Sequence, residues 1–535
     1  MEKIKEILKP IKKIKDKVEE KIKEKTTSNS TEPTLVKHFT KFVYPFRFTK
    51  NDKASRLNEA ITSGKGTEMK LFLSTGIDGS ELRGGVSEYY SDKEDECSSR
   101  IAKCYRLNDQ CRRHFNLPQR AIDFLIFTAR GDNAQYKIQL TDVRIFLFET
   151  GVGFLEVECV YPEGSTINDY LECNYFISET KGTKADVNVF SHTRKLDKDT
   201  EEVMEFKLKD LLLNVLSYVG DVRHFEGDST QFSDKNTVIY SYALLTKEPK
   251  TLPYDLAATL FLARKNFKGS YKFPQREYDI ASNRNIFQSF GNSYWATSQC
   301  GTINLSHLTD DETTNDFFKT LFPSKLRNAY YHLFLSVLHQ KYAMYILSRI
   351  ECLEKIEKNY EASKKQLKEV RENQEKAALL KMRAFFKNPS NHEHINKYFE
   401  LLNVTYEIEE IYKDFCDSIQ SAETICDTHV AKIESYENKI AALKKEKISV
   451  ILTVFTPVVA FITVFRILWE VLESFWSEQL TFADPQIFIM AIVLAFPVML
   501  ILLGLVRRMK EIRKLKREIQ EMCKIEGEEK VRGKK

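Results

Sequence analysis

The clearest structural signal in this chain of 535 residues is the sequence VRIFLFETGVGFLEVECVY, residues 143–161. Two runs of alternating apolar and polar residues flank Gly151 and Gly153, which is the pattern of a β-hairpin. Further short runs rich in Val, Ile, Phe and Tyr predict strands at residues 69–73, 121–127 and 237–245. Because residues 208–216 and 255–263 follow a helical period, the sequence predicts an α+β domain over residues 35–325.

Composition narrows the possible functions. The chain has 81 basic and 76 acidic side chains, and its net charge of +5 is small for this length, so direct DNA binding is not indicated. Its ten cysteines form no CxxC pair, which argues against a zinc module and a disulfide scaffold, and the heptad spacing of Cys97, Cys104 and Cys111 before His114 favours a buried helix face over a metal site. The GxSxG and kinase motifs are absent, and the frame of a phosphate loop is incomplete at residues 64–67. The sequence therefore predicts no catalytic residue, no cofactor and no enzyme.

Two uncharged runs near the end of the chain predict membrane-spanning helices. Residues 448–465 and 487–506 contain 18 and 20 residues without a charge, close to the length that a bilayer core requires. Lysines precede the first run, a basic segment follows the second, and the connection between them is acidic. By the positive-inside rule this predicts a multi-pass protein of the bacterial inner membrane with both termini in the cytoplasm.

The first uncharged run has a polar stripe that predicts a pore-lining face. Small or polar residues recur at spacings of four and three, and an acidic residue continues the same helical face. These candidate pore-lining residues are Ser449, Thr453, Thr456, Ala460, Thr463 and Glu470. One interpretation is that the stripe lines a water-filled path in an oligomer. The alternative is that these residues mediate tight helix packing, with their hydroxyl groups bonded to their own backbone.

A long helical stalk is predicted before the first uncharged run. Residues 328–387 contain no proline or glycine, NPSN at 388–391 interrupts the helix, and a second helix is expected from residue 393 to 447. Apolar residues alternate at spacings of four and three between positions 408 and 443, which is a heptad pattern. The sequence thus predicts an antiparallel coiled-coil stalk over residues 326–447.

One loop of the α+β domain has the composition of a ligand-binding surface. The sequence YWATSQCG at 294–301 combines aromatic rings with hydroxyl, amide and glycine groups, and aromatic stacking with a guanidinium group is the chemistry that binds a nucleotide. The candidate ligand-binding residues are Tyr294, Trp295, Ser298, Gln299 and Arg130. The alternative is that Trp295 belongs to the hydrophobic core.

The order of these segments resembles the CorA superfamily of two-helix membrane proteins, and ILTVFTPVVAFITVF at 451–465 resembles the junction of stalk and membrane in that family. ETGVGFLEVE, YWATSQCG and YYHLFLSVLHQKYAMYILS (330–348) further resemble the CorA-type membrane effectors of type III CRISPR systems. This resemblance implies a homopentameric funnel in antiviral defence, opened by a nucleotide second messenger such as an S-adenosylmethionine–AMP conjugate. The alternative is a constitutive magnesium or divalent cation transporter, although the Gly-Met-Asn motif of those transporters is absent.

The predicted organisation follows the chain from end to end. Its fold class is an α+β cytosolic domain, a helical coiled-coil stalk and a transmembrane hairpin, and its predicted partners are a lipid bilayer, further copies of the chain and a small nucleotide. The segments are a basic amphipathic helix at 1–25, a linker at 26–34, the sensing domain at 35–325, the stalk at 326–447, the first transmembrane helix at 448–476, an external loop at 477–486, the second transmembrane helix at 487–506 and a basic tail at 507–535.

Overall fold

The protein is represented by a computed structural model. It describes residues 32–48, 71–75, 81–83, 102–129, 134–178, 188–195, 201–219, 222–223, 237–250, 255–269, 274–348, 368, 370–378, 380–381, 386–475, 503, 506, 507 and 510. The predicted segment 1–25 and the acidic loop 477–486 lie outside the described residues, as does nearly all of the second predicted membrane helix and of the basic tail.

A large mixed β-sheet organises the described residues. Its strands are β1 Leu35–Phe48, β2 Phe72–Ser74, β3 Ala102–Leu107, β4 Leu125–Ala129, β5 Ala134–Phe148, β6 Val152–Val160, β7 Asn188–Lys195, β8 Glu201–Lys207, β9 Val222–Arg223, β10 Val238–Leu245, β11 Ile286–Phe290, β12 Ser293–Ser298 and β13 Gly301–His307. The main order is β11-β12-β13-β10-β1-β6-β5-β4-β7-β8, while β3 pairs with β5, β2 with β3 and β9 with β1. The pair β10 and β13 is parallel, so a crossover connects them.

The predicted hairpin is confirmed at the centre of this sheet. Strands β5 and β6 pair antiparallel, and Gly151 in the turn has a φ of 87°, a left-handed conformation that glycine adopts without strain. A side chain at Gly153 would collide with the ring of Phe46 on β1, which explains the second glycine. The predicted strand at 237–245 is also confirmed as β10, and both of its faces are buried.

Helices cover both faces of the sheet. One face lies under α1 Ile167–Ser178, α2 Leu208–Ser217 and α3 Leu256–Lys265. The opposite face lies under α4 Glu312–Lys319, α5 Leu321–Lys325, a π-helical turn Leu326–Tyr330, α6 Tyr331–Ser348, α7 Glu393–Thr405 and the start of α8 Ile408–Phe475. Two 3₁₀ helices, Asp109–Phe115 and Gln275–Tyr278, complete these elements. We call the second of these faces the α6 face.

The predicted fold class is wrong. The prediction separated a sheet domain from a helical stalk and a membrane hairpin, whereas the described residues form a mixed α/β structure in which one 13-stranded sheet is covered on both faces. Helix α6, predicted to be the start of the stalk, is buried against the sheet: Leu333, Phe334 and Val337 are all inaccessible to solvent. Helix α6 is apolar on every side, and such a helix belongs inside a core.

The coiled-coil stalk is not present among the described residues, although the heptad pattern suggested one. The predicted second helix is interrupted, because Glu407 has a φ of 55° between α7 and α8. The first heptad residues of α8, Ile408, Phe415 and Ile419, are buried, and Ile408 belongs to the core of the α6 face. The start of the apolar stripe thus packs on the core of the α6 face, which the spacing alone did not specify.

The predicted membrane hairpin and inner-membrane localisation are contradicted. No helix in the described part of the chain is both long and apolar enough to cross a bilayer. The run at 448–465 lies within α8 and contains a proline and four hydroxyl side chains among 18 residues, at the lower end of the length that a bilayer core needs. The prediction treated these polar groups as one face of a membrane-spanning helix and gave more weight to the absence of charge.

The chain divides into two units. The first comprises Met1–Glu354 and Glu369–Ala422 and includes the sheet with its covering helices. The second comprises Lys355–Lys368 and Glu423–Lys535, and its described part consists mainly of α8 from Glu423 onward. Both cavities described below are lined by residues of the first unit, whereas the predicted pore-lining residues belong to the second.

Candidate anion-binding cleft

A row of charged side chains crosses three neighbouring strands on the α6 face. Lys41 of β1 lies opposite Glu158 of β6, and Glu158 lies opposite Asp142 of β5. One step along the sheet, Glu156 lies opposite Arg144. Because side chains two residues apart point to the same face of a strand, the register brings all five groups together inside the protein.

Lys41 is the centre of this row. Its side chain is inaccessible to solvent, and its ammonium group forms ion pairs with Glu156 and, at 2.8 Å, with Glu158. The ammonium also lies 4.6 Å from the centre of the Tyr331 ring at the start of α6. Burying an unpaired ammonium group costs free energy of folding. Lys41 therefore requires the two carboxylates as partners.

Arg327 connects the buried row to the surface. It lies in the π-helical turn, and its Nη2 and Nε are 2.9 and 3.0 Å from Oε1 of Glu158. Its guanidinium group is 4.0 Å from the centre of the Phe39 ring, a cation–π contact. Burial alone raises the pKa of Glu158, but the charges of Lys41 and Arg327 outweigh this and hold that pKa far below its usual value. Glu158 is therefore ionised at neutral pH.

Arg144 forms the other wall of the site. Its Nε is 2.7 Å from Oδ2 of Asp142, whose other oxygen accepts a hydrogen bond from Arg106 at 3.0 Å. Burial lowers the pKa of Arg144, but Glu156 and Asp142 raise it above the usual value of arginine. The guanidinium group thus keeps its charge although it is largely enclosed.

These cations border an open cavity of about 470 Å³, which we call the cationic cleft. Its volume lies within the range of small-molecule sites. The residues that line it carry four positive charges, several hydrogen-bond donors and no carboxylate; they are Lys37, Arg144, Lys319, Thr320, Pro323, Ser324, Arg327 and Asn328. The site therefore has the chemistry of a receptor for a multiply charged anion.

The cleft and the row behind it hold more positive than negative charge. The cations are Lys37, Lys41, Arg106, Arg144, Lys319 and Arg327, six in all, and the carboxylates paired with them are Asp142, Glu156 and Glu158, three in all. Lys37 and Lys319 form no ion pair with any described residue. An anion entering the cleft would meet two lysines whose charges are not already neutralised, together with two fixed arginines.

Two tyrosines of β10 hold the backbone around the cleft. The hydroxyl group of Tyr242 donates a hydrogen bond to the carbonyl of Phe318 at 2.8 Å, and that of Tyr240 donates to the carbonyl of Leu326 at 2.7 Å. The first bond fixes the end of α4 and the second fixes the π-helical turn that contains Arg327. Single π-helical turns occur frequently at functional sites.

The structure places Trp295, a predicted ligand-binding residue, in the core of the α6 face. Its side chain is 0 % exposed. It is stacked on Tyr330, with ring centres 5.2 Å apart, and lies 4.0 Å from the ring centre of Tyr398 on α7. Trp295 presents no accessible surface to a ligand, which agrees with the alternative interpretation of this residue.

The other residues of the predicted ligand site also make structural contacts. Ser298 is buried and donates a hydrogen bond to the carbonyl of Arg264. Gln299 is exposed and connects two helices, because its amide nitrogen donates to the carbonyl of Thr405 at 2.6 Å and its oxygen accepts from Lys341 at 2.5 Å. Tyr294 is partly buried, and its hydroxyl accepts a hydrogen bond from Gln288. Arg130 lies outside the described residues.

The predicted pore-lining residues lie on α8. Ser449 is exposed, and the side chains of Thr453 and Ala460 lie outside the described set. The hydroxyl groups of Thr456 and Thr463 each donate to a carbonyl of their own helix at 2.7 Å, and Glu470 pairs with Arg466 at 3.1 Å. These bonds are those of the packing interpretation, in which hydroxyl groups bond to their own backbone.

Sequence reasoning missed the cationic cleft. A signal was present, because Arg144, Glu156 and Glu158 interrupt the apolar strands of the hairpin, and charges in a buried strand must find partners. The partners themselves are remote in sequence: Lys41 and Arg327 lie 115 and 169 residues from the glutamates with which they pair. No local pattern connects them.

Comparisons add no family to this geometry. Neither a protein-family model nor a curated protein matches the chain. Among the described residues, no cluster of histidine, cysteine, aspartate or glutamate side chains has the arrangement of a metal site. The fold and the cleft define the class to which the protein can be assigned: a mixed α/β protein with a positively charged cavity.

Proposed function

We propose that this protein is a receptor for a small ligand that carries two or more phosphate groups, which it binds in the cationic cleft. The observation that carries the proposal is the lining of the cleft, where four cations and three polar side chains converge without a carboxylate. Arginine binds phosphate through paired hydrogen bonds and lysine binds it as a point charge. The proposal assigns binding to the cleft and no catalysis.

The charge distribution favours a ligand with several negative charges. Glu158 and Asp142 already neutralise part of the charge of Arg327 and Arg144, while Lys37 and Lys319 have no ion pair with a described residue. A single negative charge would leave one of these lysines without a partner. A diphosphate or triphosphate group supplies enough charge to pair with both.

A nucleotide second messenger is the ligand class that the resemblance to the type III CRISPR effectors suggests. We propose that class for the cleft, because nucleotides carry the required phosphate groups and their size suits a cavity of about 470 Å³. The π-helical turn then offers a route for a response: a ligand that draws Arg327 toward phosphate competes with Glu158, and the same turn leads directly into the buried helix α6.

Titration of the full-length protein with inorganic tripolyphosphate, followed by calorimetry at low and at moderate salt, tests the proposal. We expect one site per chain whose affinity falls as salt is added. Replacing one unpaired cation, Lys319→Gln, should weaken binding about tenfold, which corresponds to ~1.4 kcal/mol. Its effect on folding stability should stay within ~0.5 kcal/mol, because no ion pair of the described residues is lost.

The matched control is Lys250→Gln. Lys250 has the same charge and is exposed, but it is not among the residues that line the cleft, so tripolyphosphate should bind this variant as it binds the wild type. Equal weakening by both substitutions would mean that the anion responds to net charge alone, and absence of binding to the wild type would refute the receptor function.

A further inference from the structure

A second cavity, of about 580 Å³, lies beside α4. Its walls come from the hairpin of β11 and β12, from the end of β13 and from α4. We call it the aromatic cavity, since the rings of Phe290, Phe317 and Phe318 form much of its lining. None of the residues that line it belongs to the cationic cleft.

The three rings that line this cavity pack edge to face against one another. Phe290 and Phe317 are partly exposed, with ring centres 6.2 Å apart and planes at 73°. Phe318 is buried behind them, 5.8 Å from Phe290. Rings at a steep angle leave a face and an edge free, and a planar aromatic guest can stack on one and meet the other.

A polar side-chain atom in the cavity has no hydrogen-bond partner among the described residues. Asn292 is only 5 % exposed, its side-chain nitrogen donates to the carbonyl of His307 at 2.6 Å, and its backbone carbonyl accepts from the N–H of His307. Its side-chain oxygen, Oδ1, forms no hydrogen bond with a described residue. The hydroxyl group of Thr313, on the α4 side of the cavity, also has no partner among the described residues. Oδ1 of Asn292 is thus an acceptor that water or a ligand in the cavity can satisfy.

Gly291 keeps one side of the aromatic cavity open. It is an exposed residue of the lining, and a β-carbon built on it would have no atom within 4 Å. A longer side chain at this position therefore has free space in front of it, and part of that space is the cavity.

The two cavities adjoin along α4. Phe318 borders the aromatic cavity and Lys319, the next residue, borders the cationic cleft. Consecutive α-carbons are 3.8 Å apart, so the linings of the two cavities come within one residue of each other at this helix end. Tyr242 fixes that end by its hydrogen bond to the carbonyl of Phe318.

We propose that the aromatic cavity binds a planar heteroaromatic ring of the same ligand whose phosphate groups occupy the cationic cleft. The ring stacks on Phe290 or Phe317 and donates a hydrogen bond from its edge to the carbonyl oxygen of Asn292. An exocyclic amino group, as on a purine or cytosine base, has the required donor. This inference rests on the proposed receptor function and adds the part of the ligand that gives specificity.

The test compares ATP with inorganic tripolyphosphate on the full-length protein. Both probes carry three linked phosphates and tripolyphosphate has the higher charge, so charge alone would favour tripolyphosphate. We expect ATP to bind at least tenfold more tightly, because only ATP has a ring for the aromatic cavity.

Two substitutions test whether the preference for ATP arises in the aromatic cavity. Gly291→Gln should fill the mouth of the cavity and remove the preference for ATP, while the dissociation constant of tripolyphosphate stays unchanged. The control is Ala281→Gln, which places the same side chain on an exposed loop position outside the lining and should leave both constants unchanged. Circular dichroism melting curves of both variants verify that the fold is kept.

The results separate this inference from the proposed function. If tripolyphosphate binds but ATP binds no more tightly, or if the preference for ATP survives Gly291→Gln, the ring site is refuted and the receptor function stands. If tripolyphosphate does not bind the wild type, the receptor function itself is refuted and this inference with it. If Lys319→Gln weakens tripolyphosphate but not ATP, the two cavities do not hold one ligand.

Discussion

The α6 face of the sheet contains two regions built in opposite ways. Around Lys41 the buried side chains are charged, and Arg327 carries that charge outward to an open cleft. Around Trp295 the buried side chains are aromatic rings that enclose one another without an opening. The aromatic region matched the expected chemistry of nucleotide binding better, yet only the charged region borders a cavity with unpaired cations.

The difference between these regions shows why residue type is a weak guide to a binding site. A tryptophan gains stability from burial in any direction, so its presence in a strand is explained by the core alone. A buried lysine loses its hydration and remains only where carboxylates compensate it. Charged residues in apolar strands therefore restrict the surrounding structure more than aromatic residues do.

The largest effect on this comparison is expected from Lys41→Met. Removing the ammonium group leaves Glu156 and Glu158 buried with less compensation, and breaking a buried ion pair costs about 3–5 kcal/mol. Urea unfolding followed by circular dichroism measures this loss. The control is Lys397→Met, at an exposed pair with Glu393 on α7, where the change should stay below ~1 kcal/mol. If both substitutions reduce the free energy of unfolding by similar amounts, burial of the ion pair does not determine the size of the loss.

A smaller effect is expected from Trp295→Phe in the aromatic region. The shorter ring leaves a gap between Tyr330 and Tyr398, and the lost contact area should reduce the free energy of unfolding by roughly 1–3 kcal/mol. Binding of tripolyphosphate should not change, because Trp295 is not part of the cleft lining. If tripolyphosphate binding is lost while the free energy of unfolding is unchanged, Trp295 belongs to the ligand site after all.

The smallest effect at neutral pH is expected at His38, whose contribution to stability changes only in acid. Burial lowers the pKa of His38 to about 4, and the charges of Lys37 and Arg327 act in the same direction. Its Nε2 accepts a hydrogen bond from the backbone N–H of Tyr161 at 2.7 Å, which requires the unprotonated nitrogen. The unfolded chain thus binds a proton below about pH 6.5 that the folded chain takes up only near pH 4.

Stability should therefore fall as the pH is lowered from about 6.5 to 4, by up to ~1.4 kcal/mol per pH unit from His38. In His38→Gln the side-chain oxygen can still accept from Tyr161, and the pH dependence of the unfolding free energy between pH 6 and 4.5 should become shallower by up to that amount. His339, whose pKa burial lowers to about 3, is unchanged in the variant and keeps its own contribution. If the unfolding free energy depends on pH with the same slope in both proteins, His38 is not neutral and buried in the folded state.

Several elements were predictable because their signals are local. The alternation around Gly151 specified the hairpin, and the break at residues 388–391 appears between the helical residues before it and α7. The interruption at Glu407 was missed because neither glycine nor proline marks it. The heptad of α8 predicted an apolar stripe, and the first of its residues packs on the α6 face, because spacing contains no information about which surface covers a stripe.

The candidate ligand residues show the same limit. Tyr294, Trp295, Ser298 and Gln299 were grouped because they are neighbours in sequence, and along a strand neighbours alternate between faces. Their side chains are buried or hydrogen-bonded in separate places. The cleft instead joins β1, β5 and the segment from α4 to the π-helical turn, elements that are distant in the chain.

The amino-acid sequence by itself determined where the central strands and several helices form, because alternation, helical period and turn residues act over a few neighbouring positions. The tertiary structure alone decided that Lys41, Glu158 and Arg327 meet, and that four cations, two of them without an ion pair to any described residue, line a cleft beside them. The physical reason is that strand order and register follow from pairing between remote segments and from the burial of whole faces. A charge in one strand acquires its role only when the partner strand and the covering helix are in place.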